Sequence, residues 1–116
     1  MEQNDKLVLV YATFSSTEEA AAIGEELVKA RLAGCVNIVP GMLSIYEWEG
    51  QLHRDAEAAM IIKTRAGLAE AVIAQVTAKH SYDNPALLVL RVDGGAAAYL
   101  DWLRAQTTTP EAPAVW

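Results

Sequence analysis

Three side chains in this sequence could hold a soft or borderline metal ion: Cys35, His53 and His80. A thiolate beside an imidazole suits Cu(I), Cu(II) or zinc. The spacing supplies no C-x-x-C, no H-x-x-x-H and no carboxylate loop of the calcium type, so nothing local assembles a metal site within one chain. A lone cysteine at the start of a strand also serves as a small buried hydrophobe, and His53, close to a turn, reads as a solvated side chain. A second constellation is Trp48, Glu57, Lys63 and Tyr82: an aromatic, a carboxylate, an ammonium and a phenol. Lys63 closes a run that is apolar from Met60 to Ile62, where a partly buried lysine needs a carboxylate partner. Glu57 falls on the same strand face but well down the strand, so pairing would cross a chain boundary or pass through a ligand. Two readings stand: an inter-subunit polar network that fixes register, or a small-anion or metabolite pocket at the interface. Catalysis has no motif to rest on. Cys35 has no neighbouring histidine motif, and neither G-x-S-x-G nor G-x-x-x-x-G-K-[ST] occurs, so the expectation is a protein that is not an enzyme.

These residues hang on a long hairpin. From Cys35 to Thr64, β-branched and aromatic residues flank Glu49-Gly50-Gln51, which reads as two strands folded back on a turn. A straight arm of about 13 residues would be about 45 Å long, whereas a compact domain of this chain length is roughly 35 Å across. The tip must therefore project, and a projecting strand with unpaired edges aggregates or pairs with another chain. Pro40-Gly41 interrupts the first arm, where a bulge or bend is expected because proline cannot donate to a ladder. Beyond it Leu43, Ile45 and Glu47 alternate with Ser44, Tyr46 and Trp48.

Before the hairpin, Leu7 to Phe14 is apolar on both faces, the pattern of a covered central strand. Ser16-Thr17-Glu18-Glu19 has the form of a capping box and opens a helix carrying Ala20, Ile23, Leu27 and Ala30, with Gly34 as its expected left-handed stop. After the hairpin, Thr64 is the expected N-cap of a helix with Leu68, Val72, Ile73 and Val76 on one stripe, ending near Lys79-His80. Asp83-Asn84-Pro85 reads as a turn, Leu87 to Val92 as a last strand, and a short helix follows with Tyr99, Trp102 and Leu103 on one face. Residues 106–116 read as an extended tail in which Trp116 is an anchor or simply exposed. The order strand, helix, hairpin, helix, strand predicts an α+β, ferredoxin-like split βαβ sandwich: a four-stranded antiparallel sheet with both main helices on one face and a short C-terminal helix. The other sheet face is then left bare and apolar, which points to a homo-oligomer that stacks it.

Bulk properties fit one domain over residues 1–116, with a core from about 7 to 105. The chain is 53% hydrophobic and 21% charged, which excludes disorder. Nine basic residues against fifteen acidic ones give a net charge of −6 and argue against nucleic acid as a partner. The aromatic and basic strand signature of an RNA-recognition domain is also missing. The single cysteine allows no intrachain disulfide. No stretch approaches 18 uninterrupted apolar residues, so no membrane partner is expected, and the opening residues lack the form of a secretory signal; the expected location is cytoplasmic.

The run Gly34-Cys35-Val36-Asn37-Ile38, then Pro40-Gly41, Ser44 to Gly50, Glu57 and Met60 to Thr64, resembles the CutA divalent-cation tolerance family. The likeness continues through His80-Ser81-Tyr82, Pro85, Leu88 to Leu90 and Tyr99 to Leu103. It spans roughly residues 7 to 105. The resemblance implies a ferredoxin-like subunit in a tight homotrimer, similar in architecture to the PII signalling proteins. It also implies a link to tolerance of copper and other divalent cations, which would be bound rather than held as obligatory cofactors, with Cys35 and His80 carried over as candidate copper ligands. The alternative within the same architecture is a PII-like signalling or interaction trimer that binds a small metabolite at the subunit interface, with metal binding incidental. Two positions depart from the family pattern. His80-Ser81-Tyr82 replaces a common His-Pro-Tyr, and Ala86 after Pro85 replaces a common glutamate, which removes a carboxylate.

Overall fold

The structure is a computed structural model that describes residues 5–109. Its elements are β1 (Leu7–Phe14), α1 (Thr17–Lys29), β2 (Cys35–Trp48), β3 (Gln51–Arg65), α2 (Ala69–Lys79), β4 (Leu87–Arg91) and α3 (Ala97–Gln106). The four strands form one sheet in the order β2-β3-β1-β4, and every neighbouring pair is antiparallel. This is the expected ferredoxin-like α+β arrangement.

Alternation along the strands decides which residues meet the helices. Val8, Val10, Ala12 and Phe14 of β1 and Met60 and Ile62 of β3 share one face and pack with Ala20, Ile23 and Leu27 of α1 and Val72 and Val76 of α2. Those residues are the core. On the opposite face Leu88 and Leu90 are 61% and 47% exposed, and their partners across β1, Tyr11 and Leu9, are half-buried. Within one chain that apolar face is uncovered.

Ser16 caps α1, its hydroxyl accepting from the Glu19 amide at 3.1 Å. The stop of α1 differs from expectation. The left-handed residue is Arg31, with φ 61°, and the Arg31 and Leu32 amides bond back to the Val28 and Leu27 carbonyls. Arg31 bears the cost of that conformation because its guanidinium donates to the Ala105 carbonyl at 2.7 Å and its own carbonyl accepts from the Thr108 amide at 2.8 Å. Gly34 is needed for a different reason: a Cβ there would meet Leu103 Cδ2 at 3.0 Å.

The hairpin turns at Glu49-Gly50, and both residues have positive φ, as a two-residue turn matched to strand twist requires. A register shift lies between Val39 and Met42, at the expected break, and Gly41 has φ +74°. The molecule measures 46 × 25 × 25 Å, so the hairpin does project beyond the core.

Thr64 is not an N-cap. Strand β3 runs on to Arg65, a 3-10 turn covers Ala66–Leu68, and the buried Thr64 hydroxyl donates to the Leu32 carbonyl at 2.6 Å. Of the three residues expected on one face of α3, only Leu103 is buried; Tyr99 and Trp102 stack on each other with centroids 5.8 Å apart and stay exposed. Arg65 fastens α3 to the sheet, donating to Thr107 Oγ1, the Arg104 carbonyl and the Asp5 carboxylate. Of the tail expected over 106–116, residues 110–116, including Trp116, lie outside the described residues.

Candidate functional site

The turn after α2 is built around His80. Its side chain is fully buried, stacked on Phe14 with centroids 4.7 Å apart and tilted against Tyr82 at the same separation. Nε2 lies 2.7 Å from the Thr13 carbonyl, so it must donate, and Nδ1 receives the Tyr82 amide at 3.0 Å, so it must accept. That is the neutral imidazole with its proton on Nε2, and both ring nitrogens are in use. Glu19 Oε2, 3.8 Å from Nδ1, receives the Ser81 amide instead at 2.8 Å.

The same carboxylate reaches backwards. Glu19 Oε1 accepts from the Ser15 amide and hydroxyl at 3.2 and 2.8 Å. Burial works to raise its pKa, but the bonds from Ser81 and Ser15 prevail and hold it below the ordinary 4.5. The β1–α1 turn and the 80–82 turn are thus tied through one side chain.

Tyr82 continues the chain of contacts, its phenol donating to Glu57 Oε2 at 2.8 Å. Burial and the adjacent carboxylate push the Tyr82 pKa far above its ordinary value, so it remains a proton donor. Glu57 lies opposite Met42 on the uncovered face.

A second group forms at the other end of β3. Cys35 is the register partner of Lys63, and both are half-buried on the uncovered face. Lys63 finds no carboxylate among the described residues. Its ammonium donates to the Tyr99 phenol at 3.0 Å and lies 5.2 Å from that ring's centroid. The hydrogen bond to Tyr99 outweighs desolvation and holds the Lys63 pKa above its usual range.

The structure therefore unites Tyr82 with Glu57 and places Lys63 beside Cys35, while separating the two pairs by about 20 Å of strand. Trp48, 53% exposed, sits at the hairpin tip near neither. Cys35 and His80 also lie at opposite ends of the sheet. Among the described residues no three of histidine, cysteine, aspartate and glutamate come together as a metal cluster. His53 stacks on Tyr46 with centroids 5.1 Å apart, and the Tyr46 phenol donates to Asp55. Two participants escaped the sequence reading. Glu19 looked like the second half of a capping box, but its carboxylate takes the Ser15 amide next to the N-cap Ser16, and Tyr99 looked like part of an apolar helix face.

Comparison with known proteins bears on what this arrangement serves. Residues 8–106 match the profile of the CutA1 divalent ion tolerance protein. The chain is 43% identical over 110 residues to the chloroplastic CutA protein of Arabidopsis thaliana, covering 92% of this chain and 60% of that protein. It thus spans little more than half the length of the plant relatives it matches. It is 41% identical to the divalent-cation tolerance protein CutA of Thermus thermophilus over 85% of this chain and 96% of that one. The crystal structure of CutA1 from Oryza sativa superposes with a TM-score of 0.88 at 39% identity, covering 92% of this chain and 98% of the rice chain. With the family profile matched over residues 8–106 and a relative 41% identical that is covered almost end to end, the chain belongs to the CutA1 divalent ion tolerance proteins.

Proposed function

We propose that this chain works as a cytoplasmic homotrimer that binds divalent cations, copper foremost, and contributes to metal tolerance by binding rather than catalysis. The observation that carries the reading is the place of Cys35: the single thiol of the chain lies on the uncovered apolar face. Symmetry in a closed trimer brings such a residue in once per chain, so a donor that is alone in one subunit has company in the assembly. His80 joins only where a cation displaces the Tyr82 amide from Nδ1. Family membership supports the link to divalent-cation tolerance. The single free cysteine fits a reducing compartment, the basis for the proposed location.

Calorimetric titration of Cu²⁺ into the reduced wild type, Cys35→Ala and His80→Ala tests the ligands. Loss of the tight isotherm in Cys35→Ala is expected, with a smaller change in His80→Ala. Three identical isotherms would sink the assignment.

A second reading, a PII-like trimer that binds a small metabolite between subunits, draws on Trp48 and Lys63. Trp48 is exposed at the tip and Lys63 has no carboxylate partner among the described residues, so these two can meet Glu57 and Tyr82 of the predicted pocket only across chains. Ligand-induced thermal stabilisation that ignores metal and vanishes in Trp48→Ala would favour it.

A further inference from the structure

A cavity of about 400 Å³ opens between the start of β1, the end of β4 and α3. Leu7, Val8, Ala66 and Leu100 supply apolar wall, and the polar lining is Lys6, Arg91, Arg104 and Asp93. Three basic residues against one acidic residue reverse the balance of the whole chain, which has nine basic and fifteen acidic residues. Arg104 is engaged, donating to the Asp5 carbonyl and to Asp101. Lys6 and Arg91 are different. Among the described residues neither side chain has an ion-pair partner, so two basic residues line a concave space with no acidic partner assigned to them.

The lining glycine adds an independent sign. Gly94 does not have positive φ, and a Cβ built on it would meet nothing within 4 Å. Neither backbone conformation nor packing in the chain calls for glycine at that point. A bare wall there does permit close approach of a ligand to the main chain. The wall leads into α3, whose N-cap is Ala96, so the first amides of that helix have no side-chain acceptor.

We propose that this cavity binds a small organic phosphate, its phosphate group held by Arg91 and Lys6 against the Gly94 wall and its remainder lying on Leu7, Val8 and Leu100. Guanidinium and ammonium groups beside open backbone suit a phosphate, and the volume exceeds what an isolated phosphate ion fills. The site is independent of the divalent-cation reading, because its lining contains no cysteine or histidine.

The test uses the full chain in its native assembly, with inorganic phosphate, pyrophosphate and citrate as probes and melting temperature as the readout. Pyrophosphate should stabilise the wild type saturably. Arg91→Gln should raise the half-saturating concentration about tenfold, as expected for loss of a charged hydrogen bond. Gly94→Ala should weaken binding without lowering the melting temperature measured in the absence of ligand, because its Cβ has open space. Lys29→Gln, on α1 and outside the cavity, is the control. Equal half-saturation in wild type and Arg91→Gln would overturn the proposal, as would the absence of saturable stabilisation by either phosphate probe. Citrate binding more tightly than pyrophosphate would overturn the assignment to phosphate.

Discussion

Glu19 joins two chain reversals, accepting from Ser15 through one oxygen and, through the other, from Ser81, which lies 62 residues further along the chain. Its folded pKa is held below the usual 4.5, so ionisation is favoured by folding. The resulting stability is complete above the unfolded carboxylate value and is lost as pH falls through the lower folded value. Glu19→Gln should therefore be less stable than wild type at neutral pH, and the gap should narrow below about pH 4; urea midpoints at pH 7 and pH 3 would check this, and a gap that stayed constant would refute it. Only half of this role was legible in the sequence. Ser16 and Glu19 have capping-box spacing, which is local, whereas the bond to Ser81 exists only once the turn after α2 has docked. His80 illustrates the same limit. Its identity as a nitrogen donor is plain from the sequence, but whether a lone pair is free depends on the Thr13 carbonyl and the Tyr82 amide. Lys63 was expected to need a carboxylate and instead has a phenol from a helix far along the chain.

Among the elements, the hairpin was the most legible, because its turn, its bulge and its alternation are all local patterns. Its turn carries one mismatch: Glu49 adopts φ 51°, which a residue with a Cβ reaches at a cost, whereas Gly50 at φ 78° adopts its conformation freely. Asparagine tolerates the left-handed region best among side-chain-bearing residues, so Glu49→Asn should stabilise the fold by up to about 1 kcal/mol. Gly50→Ala should cost about 1 kcal/mol or more in the same urea titration, since its strain is conformational and its Cβ meets nothing within 4 Å. Element ends were harder to read. The stop of α1 is set by Arg31, which is held by Ala105 and Thr108, and a distant contact of that kind outweighs the local preference that favoured Gly34. Thr64 has the right residue type for a cap, but the pairing of β3 with β1 extends past it to Arg65.

For the whole molecule, the topology implied a sheet with one naked face, and the structure supplies its members: Leu9, Tyr11, Ile61, Leu88 and Leu90. An apolar face of that kind is stable in water when another copy covers it. Light scattering of the full chain at micromolar concentration should give a stable oligomer of trimer mass, and Leu90→Glu should reduce it toward monomer with a lower melting temperature. A wild-type monomer at that concentration would refute the assembly. The shift between Val39 and Met42 bears on how such an assembly can change over time. Because one extra residue there reverses the parity of β2, Met42, Ser44, Tyr46 and Trp48 look out from the face that Val39 occupies, and Leu43 and Ile45 look the other way. Loss of a single residue at Pro40 or Gly41 would restore plain alternation, keeping Val39 opposite Ala59, Met42 opposite Glu57 and Tyr46 and Trp48 on their present face, and would remove only the local bend that the extra residue gives the arm. Length variation in descendants of this chain is therefore expected at the bulge, one residue at a time, or at the tip in matched pairs that shorten both arms, and not within the regular pairing of the outer arm.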